Sequence, residues 1–119
     1  MLNNTMDDKV DAYKVGVGLM NESLPNVVEA YDQFTAECFA DRALSGKHKQ
    51  LVALGIALFA NNEICTYYHV TEAISKGASP NEIMDAVAVA AAVGGGHAFS
   101  QGVTRVQQAL SGKPASNLV

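Results

Sequence analysis

Apolar positions recur along this chain at three- and four-residue spacing, and no Val/Ile/Thr/Tyr alternation is sustained over a strand length. Helix is therefore the state the pattern dictates. Val10, Tyr13, Val17 and Met20 mark a first helix, weakened by Gly16 and Gly18. Ser23 is placed to cap a second, with Pro25 in its first turn and Val27, Tyr31, Phe34 and Cys38 forming one stripe that ends near Ala40; on that stripe Cys38 reads as core. Ser45 can cap a third helix whose inner face is Leu51, Leu54 and Leu58, ending at Asn61-Asn62. Asn62 can cap a fourth, Glu63 to Lys76, which Gly77 stops. Ser79-Pro80-Asn81-Glu82 has Ser at N-cap, Pro at N1 and Glu at N3, a full capping box, and opens a fifth helix carrying Ile83, Ala86, Val87, Ala90 and Val93 up to Gly94-Gly95-Gly96. A sixth, from about His97 to Leu110, repeats the spacing with Phe99, Val103, Val106 and Leu110. The expectation is an all-α, compact bundle of about six helices in one domain spanning 1–119, with its core at about 24–110 and a frayed tail over 111–119.

Composition narrows the partners. Only 17% of the 119 residues are charged, below the usual ~25%, which predicts apolar surface buried between subunits. Eight Lys+Arg against twelve Asp+Glu, a net charge of -4, with no basic run, leaves nothing to neutralise phosphates, so nucleic acid is excluded as a partner. The longest nearly apolar stretches, Leu51 to Ala60 and Ile83 to Gly96, fall short of a bilayer span. The opening MLNNTMDDKVD is polar and acidic and lacks the features of a secretory signal, which points to the cytoplasm. There Cys38 and Cys65 are expected as thiols.

Chemistry concentrates in Glu63-Ile64-Cys65-Thr66-Tyr67-Tyr68-His69. Cys65 and His69, four apart, share one helix face. His69 and the positive end of the helix dipole would lower the thiol pKa, whereas Glu63 would raise it, and spacing alone leaves the balance open. A structural cysteine beside a satisfied histidine is the plainer alternative. Two ligands are too few for zinc unless His97 or His48 converges on them, and no metal site or cofactor is expected. Gly94-Gly95-Gly96-His97 lacks the Lys-Ser/Thr and the preceding strand of a phosphate loop; its glycines read as a helix end that lets another backbone approach. His97, following directly, could face the Cys65 region. Tyr67 and Tyr68 read as packing or interface residues.

From about Leu44 to Leu110 the chain resembles the carboxymuconolactone decarboxylase superfamily, which includes the alkylhydroperoxidase D-like proteins. The resemblance rests on QLVALGIALFANN, followed by CTYYHVTEAISKGASPNEIMDAVAVAAAVGGGHA, in which His69 precedes Gly77-Ala78 by eight residues and the capping box precedes Gly-Gly-Gly-x-Ala. The segment Leu24 to Arg42 also looks like that family's preceding helix. The peroxidase branch carries a Glu, eleven residues, then Cys-x-x-Cys-x-x-x-His. Laid on this chain, the motif puts the histidine at His69, the peroxide-reacting cysteine at Cys65, the first cysteine at Asn62 and the glutamate at Gln50. Asn62 cannot resolve a Cys65 sulfenic acid as a disulfide, and Gln50 cannot accept a proton as a carboxylate would. What the resemblance implies here is a thiol-imidazole pair restored by an external thiol or by Cys38.

Three functional readings follow. The leading one is an alkylhydroperoxidase-like thiol oxidoreductase acting on a small-molecule peroxide: Cys65 attacks as thiolate, His69 takes or relays the proton, and Gln50 orients a water or the imidazole. Asn62, Tyr68 and His97 are candidate pocket residues. The second is a lyase of the decarboxylase type, with His69 as general acid and Arg42 or Arg105 as the cation that holds a carboxylate. The third is a non-catalytic oligomeric binding protein. Low charge and the resemblance both point to a cyclic homo-oligomer, a trimer or hexamer, with the third to fifth helices surrounding the Cys65 and His69 face.

Overall fold

The computed structural model describes residues 6–111, with side chains from Asp8 onward, and every element in that range is helical. Helices α1 (Met6–Ser23), α2 (Pro25–Phe39), α3 (Gly46–Phe59), α4 (Glu63–Ser75) and α5 (Pro80–Gly94) follow the predicted order. The sixth predicted helix is broken in its middle: α6 (Gly96–Gln101) runs into a π-helical turn (Gly102–Val106) and continues as α7 (Gln107–Ser111). Of the tail expected to fray, all but Ser111 lies outside the described residues. Among the described residues no helix is long and apolar enough to cross a membrane.

Most caps are those the sequence announces. Ser45 accepts from the His48 amide, Asn62 from the Cys65 amide, and Ser79 with Glu82 forms the reciprocal capping box. Ser23 is the exception. It is the last residue of α1, its hydroxyl turns back to the Leu19 carbonyl, and Leu24 takes the N-cap of α2 without a side-chain bond. Pro25 at the first position accounts for the break, because its missing N–H falls among the orphan donors of a helix start. Gly77 (φ 96°) and Gly95 (φ 88°) take the left-handed conformations that end α4 and α5.

The Lys47–Glu82 ion pair ties the first turns of α3 and α5, and Gly94 meets the Phe59 ring at the other end, so these two helices run parallel. Leu54 and Leu58 of α3, Tyr67 and Val70 of α4, Ile83 and Val87 of α5, and Ala98 and Val106 beyond it form the core. Each large apolar side chain buried there contributes about 1.5–3 kcal/mol. A methyl group on Gly102 would overlap Val87, so only glycine lets the π turn sit this close to α5.

The stripes of the outer helices meet a different fate from the one their spacing suggests. α2 has no buried residue: Val27, Tyr31, Phe34 and Cys38 are all exposed. Val93 is 83% exposed, and Phe99 and Val103 face outward while Ala98 and Ala109 are buried. Periodicity identifies an apolar face but not what covers it, and in this chain small residues let α6 and α7 sit close to the core.

Candidate functional site

The Asn62 cap starts α4 so that Cys65 sits in its first turn, with its amide 2.9 Å from Asn62 Oδ1. One turn later His69 meets α3, where the buried Gln50 brings Oε1 to 2.7 Å from His69 Nδ1. Phe39, the last residue of α2, stacks on the imidazole at 5.8 Å between centroids and 18° between planes, and the Tyr68 ring meets it edge-on at 5.2 Å. Cys65, His69, Gln50 and Tyr68 all line one cavity of about 730 Å³. Its other walls come from α1 (Tyr13, Lys14, Val17) and α2 (Tyr31, Asp32, Thr35, Phe39), and α4 adds Ile64 and Glu72, with Lys76 at its C-cap. The expectation that the third to fifth helices enclose this face is thus corrected. α5 packs on the far side of α3, and the α1–α2 hairpin supplies the outer wall.

The Gln50 contact fixes the histidine tautomer. An amide oxygen only accepts, so His69 Nδ1 donates and the neutral ring keeps its lone pair on Nε2. Burial pushes the His69 pKa below its ordinary value, which keeps the imidazole neutral and basic at neutral pH. Burial likewise pushes the Cys65 thiol up. Desolvation is the cause that raises it, and among the described residues no hydrogen bond joins Cys65 Sγ to His69. Cys65 rests as a thiol, not a thiolate.

Glu63 faces another cluster. Burial raises its pKa, but Lys9 at 2.8 Å, Arg105 and the Tyr67 hydroxyl outweigh that and hold the carboxyl below the usual range. Tyr67 Oη lies 3.2 Å from Glu63 Oε2 and 3.0 Å from the buried Gln108 Oε1, and burial with the Glu63 charge pushes its pKa up to about 12. The adjacent tyrosines thus divide the helix: Tyr67 belongs to the core and Tyr68 to the cavity.

Several candidates stand elsewhere. Asn62 spends its side chain on the cap and is not among the cavity-lining residues. His97 is exposed, with Nε2 2.9 Å from the Phe59 carbonyl at the end of α3, and does not reach Cys65. His48 pairs with Ser45, and among the described residues no three His, Cys, Asp or Glu side chains are grouped to hold a metal. Arg42 pairs with Glu37, and Arg105 with Asn61 and Glu63, so neither supplies the cavity's positive charge. Lys14 and Lys76 do. Sequence spacing missed them, with Phe39, Tyr13 and Tyr31, because they come from separate turns of three helices. Only Lys76, seven residues beyond His69 at the C-cap of α4, lay within reach of a helical-face argument.

The chain matches the carboxymuconolactone decarboxylase family over residues 25–108. It is 33% identical over 75 residues to the uncharacterized protein 4 of the cox locus of Paracoccus denitrificans, a match covering 63% of this chain and 68% of that one. Its fold is similar to that of a carboxymuconolactone decarboxylase family protein from Legionella pneumophila, with a TM-score of 0.81 at 18% identity, covering 90% of this chain and 92% of the other. A family protein from Thermotoga maritima, described as a candidate for a role in antioxidative response, aligns with a TM-score of 0.70 at 19% identity over 87% of this chain and 86% of its own.

Proposed function

From the premise that the chain belongs to the carboxymuconolactone decarboxylase family, we propose that it reduces small organic hydroperoxides at Cys65 by a single-cysteine cycle. The observation that carries the reading is the placement of Cys65 and His69 in one cavity, with the imidazole held neutral and its Nδ1 committed to Gln50. The description of the Thermotoga maritima relative lends it support. Because burial keeps Cys65 protonated, the base must act during attack and not before it. Cys65 sulfur forms a bond to a peroxide oxygen as the O–O bond breaks. The thiol proton passes to His69 Nε2 and from there to the departing alkoxide, which leaves as alcohol. Cys65 becomes a sulfenic acid.

Asn62 offers no second thiol beside it. An external thiol, of the kind a reducing cytoplasm supplies, condenses with the sulfenic acid to a mixed disulfide and water; a second such thiol releases Cys65 and departs as the disulfide. The test is mass spectrometry after brief exposure to an organic hydroperoxide with a sulfenic-acid trap present. Selective trapping at Cys65, lost in Cys65→Ser, slowed in His69→Ala and unchanged in Cys38→Ser, is the expected result. Equal, slow trapping at both cysteines would overturn it.

One observation favours a second reading. Lys14 and Lys76 line the cavity, and either could hold a substrate carboxylate while His69 moves a proton, as a decarboxylating lyase requires. In that case Cys65→Ala retains turnover and His69→Ala does not.

A further inference from the structure

Among the described residues, Lys9, Arg42, Lys47 and Arg105 stand in ion pairs, and Lys49 donates to the Cys38 and Ala40 carbonyls. Lys14 and Lys76 are the cations left without a partner, and both line the cavity of Cys65 and His69. Each comes from a face turned inward. Lys14 shares the α1 stripe of Val10, Tyr13 and Val17, of which Val10 packs against the core. Cys65, His69, Glu72 and Lys76 follow one another at i, i+4, i+7 and i+11 on α4, and Lys76 Cδ lies 3.8 Å from where a methyl group on Gly46 would stand, at the start of α3. Asp32 and Glu72 also line the cavity, yet neither is in an ion pair with these lysines. They face the Tyr68 hydroxyl instead, whose pKa is pushed up by burial first and then by Glu72, Tyr13 and Asp32.

We infer that Lys14 and Lys76 form a carboxylate-binding subsite, and that the preferred substrate is a hydroperoxide bearing a carboxylate several carbons from its O–O bond, as a hydroperoxy fatty acid does. Cys65 and His69 fix where the O–O bond must sit. Lys76 is seven residues past His69, roughly 10 Å along the helix at 1.5 Å per residue, so the anion and the reacting group belong to opposite ends of one molecule. Between them Val17, Phe39 and Ile64, with the rings of Tyr13 and Tyr31, offer an apolar wall for the body of that molecule. The cavity of about 730 Å³ is within the roughly 300–1,000 Å³ that encloses a ligand of this size. A chain of net charge -4 does not draw anions from a distance, so selection must come from contact with these two ammonium groups. The carboxylate takes no part in the oxygen transfer; it places the peroxide. The substrate class rests on the peroxide reading, whereas the anion subsite stands on the cavity alone.

Linoleic acid hydroperoxide and its methyl ester, compared below micelle-forming concentrations, differ only in the charge, and tert-butyl hydroperoxide serves as the small neutral reference. Read as the rate of sulfenic-acid trapping at Cys65, the acid should react at least about tenfold faster than its ester, the worth of a hydrogen bond to a charged group. Lys14→Gln combined with Lys76→Gln should bring acid and ester to one rate, while Lys14→Arg combined with Lys76→Arg, which keeps both charges, should preserve the difference. A second measurement needs no turnover and holds even if the Gln variant fails to fold: the hydroxy acid left after reduction should shift the His69 ring resonances of the wild type at lower concentration than its methyl ester does. Trapping with tert-butyl hydroperoxide but equal rates for acid and ester, or a preference that survives both Gln substitutions, would overturn the subsite and leave the peroxide reading standing. No trapping with any of the three, beside tighter binding of the hydroxy acid, would sink the peroxide reading and keep the subsite; equal binding of acid and ester as well would overturn both.

Discussion

Gln50 Oε1 accepts a 2.7 Å hydrogen bond from His69 Nδ1, and this one contact sets which ring nitrogen can act as a base. A carboxylate in the same place would do more than orient the ring, because an opposite charge favours the imidazolium.

Gln50→Glu should therefore raise the His69 pKa, reversing the downward push of burial. Histidine proton chemical shifts followed against pH measure it. The acid limb of peroxide consumption should move to higher pH by the same interval, since a protonated His69 cannot take the thiol proton. An unmoved titration would show that position 50 does not govern the imidazole.

Much of this site was legible from spacing and caps. Cys65 and His69 follow from their four-residue separation, and the Asn62 cap from the Asn-Glu junction; Gln50 was reached only through the family motif, which put it opposite His69. The cavity's outer wall was not legible. Tyr13, Lys14, Tyr31 and Phe39 reach it through the way the α1–α2 hairpin folds back over α4, and nothing in a stripe of spacing encodes that crossing. The same gap explains Cys38: it sits on the predicted stripe, but among the described residues none buries that stripe. His97 failed for a local reason, because the Phe59 carbonyl at the end of α3 claims its Nε2.

Asn62 stands at the motif's first cysteine position, so Asn62→Cys asks whether the two-cysteine cycle can be restored. Losing the cap to the Cys65 amide should cost about 1 kcal/mol in the reduced protein, a fall in Tm of roughly 4 °C by circular dichroism. Under peroxide the variant should form a disulfide to Cys65 and complete one turnover without external thiol, while steady turnover still takes two thiols per peroxide, now to reduce that disulfide. Persistence of a trappable Cys65 sulfenic acid with no disulfide formed would show that a thiol at position 62 does not resolve it.

Gly102 lets the π turn approach α5, and a methyl group there would overlap Val87. Gly102→Ala should destabilise by about 1–3 kcal/mol through overpacking, read as a lowered denaturation midpoint at unchanged slope. Val87→Ala alone should also destabilise, by leaving a cavity beside Ile83 and Ala90. Together the two should cost less than their sum, because each makes room for the other's defect; strict additivity would place the strain elsewhere.

His69 also sets a pH dependence of stability. Its folded-state pKa lies below the ordinary 6.5, so the unfolded chain binds a proton that the folded chain refuses over the interval between the two values. Stability must fall as pH drops from 6.5 toward the folded pKa, and the loss levels off once both states are protonated. Glu63 acts in the same direction at lower pH. Its folded pKa lies below 4.5, so what it contributes is present above that value and lost as pH falls through the folded pKa. His69→Gln removes only the first of these. Urea titrations from pH 7 to pH 5 should show a decline in the wild type that the variant lacks, while both should lose stability together below 4.5. A wild type as stable at pH 5 as at pH 7 would mean that the cavity admits enough water to solvate the imidazolium, and the neutral base that the peroxide reading needs would go with it.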